Sequence, residues 1–168
     1  MSPDTPYQNL AEKRIVVAGA GVTGLAVARA LIARGAEVVF ADEKGIDVDG
    51  FEVRKPDSFS QGDFDALLVS PGWKESHPLV QLARSAGKEI LNEIDFAWFI
   101  KMEKFPKQKW LALTGTNGKT TTVEMVAHIF ATAGISAKAC GNVGTTVIET
   151  ITSGEQLDYL ILELSSFQ

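Results

Sequence analysis

The residues best suited to chemistry lie in Thr114-Gly-Thr-Asn-Gly-Lys-Thr-Thr121, where glycines alternate with hydroxyl side chains and Lys119 follows directly on Gly118. Glycines at 115 and 118 let a chain turn tightly enough for backbone N–H groups to face an anion. A helix starting there adds its positive dipole end. Lys119 supplies a mobile cation, and Thr120 a hydroxyl suited to a magnesium ligand sphere. Leu113 stands where the general phosphate-loop pattern has its first glycine, so the match to that pattern is partial. Glu163 closes the apolar run Tyr159-Leu-Ile-Leu162, and a carboxylate at a strand end beside such a loop is expected to serve magnesium directly or from the second sphere. A second constellation, Gly19-Ala-Gly-Val-Thr-Gly24, has no lysine, and Asp42 follows at the end of the next apolar run. That spacing suits a sugar hydroxyl in a dinucleotide-type site.

These residues need strands and helices to hold them. Ile15–Ala18 reads as a strand entering the first glycine turn, and Leu25, Ala28, Leu31 and Ile32 recur at helical spacing until Gly35. Strands follow at 38–41 and 66–69, with a possible edge strand around Val53 and a short one at 89–91. Ser70-Pro-Gly72 breaks the strand at 66–69 at the edge where ligands of such sheets sit. His77 precedes Pro78 as a turn residue with no assigned role, and Asn92 is a plausible N-cap for the next helix. Lys101, Lys104, Lys107 and Lys109 mark a solvated linker and the expected domain boundary. After it, strands at 111–113, 135–139 and 159–162 alternate with helical patterns. Val123, Val126, Ala127 and Phe130 form one apolar stripe, while His128 lies outside it. Asn142, in the turn Gly141-Asn-Val-Gly144, suits either a ligand contact or a positive φ.

The expected fold is α/β: a Rossmann-like parallel-sheet domain over 1–103, then a linker and the truncated start of a P-loop α/β domain over 104–168. With 168 residues, 45% of them hydrophobic, there is material for real cores. A net charge of -5 gives no basic footprint for nucleic acid. No apolar run reaches membrane-spanning length and residues 1–14 lack a secretory core, so a cytoplasmic location is expected. The lone Cys140 excludes an internal disulfide framework and reads as a small packing residue.

Taken together, the Gly19–Leu25 turn with Asp42, Ser70-Pro-Gly72, the Thr114–Thr121 loop, Gly141-Asn-Val-Gly144 and Glu163-Leu-Ser-Ser-Phe-Gln168 resemble the Mur ligases, over nearly the whole chain. The first domain and the Glu-Leu-Ser-Ser-Phe-Gln motif favour the branch that adds D-glutamate. The resemblance implies an ATP-dependent acid–amino-acid ligase of peptidoglycan synthesis, joining D-glutamate to UDP-N-acetylmuramoyl-L-alanine through an acyl phosphate, with Mg2+ and as a monomer. It implies that Gly115, Thr116, Asn117, Gly118, Lys119, Thr120 and Thr121 bind ATP, with Lys119 catalytic, and that Thr120 and Glu163 hold the metal. Val22, Thr23, Asp42, Glu43, Lys44, Gly72 and Asn142 would line the UDP-sugar site. Trp73-Lys74 departs from the small or aliphatic residue more usual there. The downstream lysine that the family carbamylates to bridge metals, the histidine that helps hold the second magnesium and the D-glutamate-binding residues have no counterpart here, so the chain alone is expected to bind nucleotide without completing the reaction. A NAD-dependent oxidoreductase built on Gly19 to Asp42, or a non-catalytic nucleotide-binding module, remains open, although the first leaves Lys119 unexplained.

Overall fold

The computed structural model describes residues 5–70 and 72–165. Pro71 of the Ser-Pro-Gly turn and residues 166–168 of the Glu-Leu-Ser-Ser-Phe-Gln motif lie outside them. The chain forms two compact units, Met1–Phe96 and Ala97–Gln168.

In the first unit, β1 (Arg14–Ala18), β2 (Glu37–Ala41), β3 (Glu52–Arg54), β4 (Ala66–Val69) and β5 (Glu89–Asn92) make a five-stranded sheet in the order β3-β2-β1-β4-β5. Every pairing is parallel. Helix α1 (Val22–Ile32) links β1 to β2, and α2 (Pro78–Ser85) links β4 to β5. Parallel strands need such crossovers, and helices on the sheet bury the strands on both faces. That is why β1 and β4 read as unbroken apolar runs rather than as alternation. Ile15, Val16, Val17, Leu67 and Leu68 are fully buried. The chain winds outward from β1 through β2 to β3, then returns to the other side of β1 as β4. The order therefore reverses between β1 and β4, the place where open α/β sheets receive ligands beyond their strand ends.

Gly24 fixes how closely α1 approaches the turn that precedes it. A Cβ there would collide with the Gly19 carbonyl oxygen and lie 3.4 Å from the Phe40 ring. The third glycine of the motif is thus a packing requirement. Asn92 caps the next helix, α3 (Glu93–Lys104), its Oδ1 accepting from the Asp95 N–H at 2.8 Å, as its residue type suggests.

In the second unit, β6 (Lys109–Leu113), β7 (Ala137–Gly141) and β8 (Tyr159–Glu163) form a three-stranded parallel sheet in the order β6-β8-β7. Helix α4 (Lys119–Thr132) follows β6, and α5 (Val147–Thr152) follows β7. On α4 the expected apolar stripe is present: Val123 is buried, and Val126, Ala127 and Phe130 are half-buried, with the Phe130 ring edge-on to Tyr159 at 4.8 Å between centroids. Strand β7 starts two residues later than the sequence pattern suggests, because Ser136 is held in the connection, where its carbonyl accepts from the Asp158 and Tyr159 N–H groups.

The lysine-rich stretch differs from its expectation. Lys101 to Lys104 are the last turn of α3, and Lys101 is 4% exposed rather than solvated. Its ammonium donates to the Pro106 carbonyl at 3.1 Å and lies 4.6 Å from the centre of the Trp98 ring. Burial pushes its pKa down. A long aliphatic stem lets a lysine cross apolar surroundings when a carbonyl and an aromatic face receive its head.

Candidate functional site

Two constellations take shape, one in each unit. In the second, β6 runs into the Thr114–Lys119 loop and Gly118, at φ +75°, is the N-cap of α4. A left-handed N-cap turns the chain so that the first N–H groups of the helix are left for an anion. Lys119 folds back over this loop, and its Nζ donates to the Gly115 carbonyl at 2.6 Å. Thr120 Oγ1 donates to Glu163 Oε2 at 2.7 Å, joining the first turn of α4 to the end of β8, although the residues are far apart in sequence. Glu163 is 6% exposed. A hydroxyl and a carboxylate at this separation are hard oxygen donors of the kind magnesium takes, one from the loop and one from the neighbouring strand. Asn142 sits in this unit as well, where its N–H donates to the Glu163 carbonyl at 2.9 Å. Its backbone therefore braces the strand end that presents the carboxylate.

In the first unit, the carboxyl ends of β1, β2 and β4 converge. Asp42 accepts from the Ala20 N–H at 3.0 Å through Oδ2, and from the Lys44 N–H at 2.9 Å through Oδ1. One carboxylate thus ties the glycine turn to the end of β2 and orders the segment beyond it. Its remaining lone pairs are available to a sugar hydroxyl. Beside it opens a cavity of about 670 Å³, a volume in the range of small-molecule sites, lined among others by Gly21, Asp42, Glu43, Lys44 and Gly72. Of the other residues expected on the sugar side, Val22 is 74% exposed on the first turn of α1 and Thr23 is half-buried beside it, both off the cavity lining.

Sequence reasoning gave no binding role to the rest of the lining, among it Trp73, Ser76, His77 and Pro78, although Trp73 stood out as a departure and His77 as a turn residue. His77 is the N-cap of α2, its Nδ1 accepting from the Leu79 N–H at 3.2 Å, and its Nε2 lies 3.2 Å from Glu43 Oε1. A His-Pro pair signals the helix start. That the same ring reaches back to the end of β2 is a tertiary fact with no local signature.

The class these two constellations define is an α/β protein joining a doubly wound, dinucleotide-type unit to a phosphate-loop unit with a paired hydroxyl and carboxylate. Residues 113–168 match the family described as the Mur ligase middle domain. Along both units the chain is 38% identical over 166 residues to the UDP-N-acetylmuramoylalanine--D-glutamate ligase of Corynebacterium diphtheriae, an alignment covering 92% of this chain and 35% of that protein. To the ligase of the same name in Streptomyces coelicolor it is 36% identical over 168 residues, covering 93% of this chain and 36% of that protein. The chain belongs to the Mur ligase family. It spans about a third of the length of the curated relatives it matches. Among solved structures, the UDP-N-acetylmuramate:L-alanyl-gamma-D-glutamyl-meso-diaminopimelate ligase from Neisseria meningitides aligns with a TM-score of 0.51 at 19% identity, over 94% of this chain and 56% of that one, a likeness of fold. The oxidoreductase alternative is not favoured by these relatives. Among the described residues no helix is long and apolar enough to cross a membrane.

Proposed function

We propose that this chain provides the UDP-sugar site and the ATP loop of a cytoplasmic ligase that adds D-glutamate to UDP-N-acetylmuramoyl-L-alanine in peptidoglycan synthesis, acting as a monomer and without nucleic acid. The observation carrying this reading is the alignment with a D-glutamate ligase that covers 92% of this chain at 38% identity. Residues 1–103 are the UDP-substrate domain, and 104–168 the linker and N-terminal part of the ATP-binding domain.

In the ATP loop, N–H groups of Gly115, Thr116, Asn117, Gly118, Thr120 and Thr121 surround the phosphates. Lys119 leaves the Gly115 carbonyl for a phosphate oxygen and offsets the charge that develops as the phosphoryl group moves to the substrate carboxylate. This is positioning and electrostatics rather than covalent catalysis by the protein. Thr120 and Glu163 hold Mg2+, which when bound neutralises phosphate charge. On the sugar side Val22 and Thr23 present the start of α1 to the diphosphate. Asp42 keeps the glycine turn in place, and Glu43, Lys44 and Gly72 border the nucleoside; Asn142 is a substrate contact from the second unit.

Calorimetric titration of the chain with UDP, ATP with Mg2+, and NAD tests the reading. UDP and ATP are expected to bind and NAD is not. Tight NAD binding without UDP binding would return the first unit to redox chemistry.

A further inference from the structure

The cavity beside Asp42 has an aromatic wall to which the roles above give no task. Trp73 and His77, on the connection from β4 into α2, have ring centroids 4.2 Å apart and planes inclined by 57°. Trp73 is half-buried and packs against the core cluster of the first sheet, which holds one side of the indole in place. Its Nε1 lies 3.3 Å from where a Cβ on residue 19 would stand, so the indole edge rests against the glycine turn itself. That N–H has no acceptor among the described residues. His77 is fixed more firmly still. The bond accepted at Nδ1 places the ring proton on Nε2, which donates to Glu43. The imidazole therefore packs against the indole and links it to Glu43, just beyond β2. Ile46, 43% exposed, adds another apolar side chain to the same lining.

A rigid, flat, apolar surface with carboxylates at its margin is what a planar heterocycle with ring N–H groups requires. We infer that Trp73 is a base-stacking, specificity-determining residue of this cavity, on which the pyrimidine ring of the nucleotide lies. His77 is the positioning residue that holds the indole and Glu43 in register. The inference rests on the UDP-sugar reading above and assigns the base-binding surface within it.

Two ligands separate the contributions. UDP presents base and phosphates, whereas inorganic pyrophosphate presents phosphates alone. W73L keeps an apolar side chain but removes the aromatic face. It is expected to weaken UDP binding about tenfold or more, the scale of a lost base–aromatic stack, and to leave pyrophosphate binding unchanged. W73F should restore most of the lost UDP affinity. H77N retains an N-cap oxygen for α2 but not the ring, so it should weaken UDP binding about threefold without lowering the melting temperature. In a W98F/W110F background, where Trp73 is the remaining tryptophan, UDP should quench its fluorescence and pyrophosphate should not. This measurement decides the matter even if W73L folds poorly. UDP binding that leaves this fluorescence unchanged, or that is equal in wild type and W73L, overturns the stacking role alone. No UDP binding by the wild-type chain overturns the UDP-sugar reading and the stacking role with it.

Discussion

The turn after β1 and the turn after β6 both lead a parallel strand into a helix, yet their strands stand in different places. Strand β1 is central, paired with β2 on one side and β4 on the other, and its last four residues are buried. Among the described residues β6 pairs with β8 alone, and Leu111 and Ala112 are exposed. The first turn is held by packing: α1 lies so close that residue 24 has no room for a methyl group, and Asp42 clamps the backbone at Ala20. The second is held by polar side chains, with Lys119 on Gly115 and Thr120 on Glu163. A site shaped by packing has its geometry set in advance. A site shaped by charged and hydroxyl groups can exchange those partners for a ligand.

Gly24→Ala strikes the first arrangement where it is tightest. The methyl group meets a backbone oxygen that cannot rotate away, and a loss of about 3 kcal/mol is expected in urea denaturation. Gly118→Ala makes the contrast, because a Cβ there meets nothing within 4 Å and only the positive φ opposes it, at roughly 1 kcal/mol. Equal losses would erase the distinction between the two loops. Next in size, Glu163→Gln is expected to lower ATP affinity about tenfold in magnesium and to leave the magnesium-free affinity unchanged, as measured by calorimetry with and without EDTA. An equal loss in both conditions would reduce Glu163 to a structural acceptor for Thr120.

How far the sequence discloses these differences depends on the range of the interactions. Strand, glycine turn and helix were legible at both loops because their cues lie within a few residues, and Asn92 was legible as a cap for the same reason. The reversal of strand order at β1 was not, since residues that meet across β1 and β4 share no local pattern. His77 was read as an ordinary turn residue because its second partner, Glu43, comes from another strand. Lys101 was read as solvated because charge alone says nothing about a carbonyl at Pro106 or an indole at Trp98. Residue types alone gave no distance between Thr120 and Glu163, which the resemblance paired on one metal; their side chains lie 2.7 Å apart.

Hydrogen exchange sharpens the comparison at smaller scale. Amides of Val16 and Val17 in β1 should exchange about tenfold or more slowly than those of Leu111 and Ala112 in β6, as strand position dictates. Comparable protection would show that the edge strand is as firmly held as the central one. A last effect belongs to the first unit alone. Burial, the main cause, pushes the Tyr7 phenol up to about 12 from an ordinary 10.0, against a ring stack on Phe96 at 5.6 Å. The folded state keeps the phenolic proton where the unfolded chain has lost it. The stability this provides is therefore complete below pH 10 and declines as pH rises toward 12. Tyr7→Phe should flatten that decline in thermal melts between those limits.

The contact from Lys119 to the Gly115 carbonyl has one more implication. An ammonium already resting on a carbonyl gains little by turning to another neutral oxygen, such as a sugar hydroxyl or water. A phosphate oxygen offers it full negative charge, and exchanging partners then becomes favourable. The loop thus screens visitors by charge before shape enters, with the lysine serving as a latch that only an anion can lift.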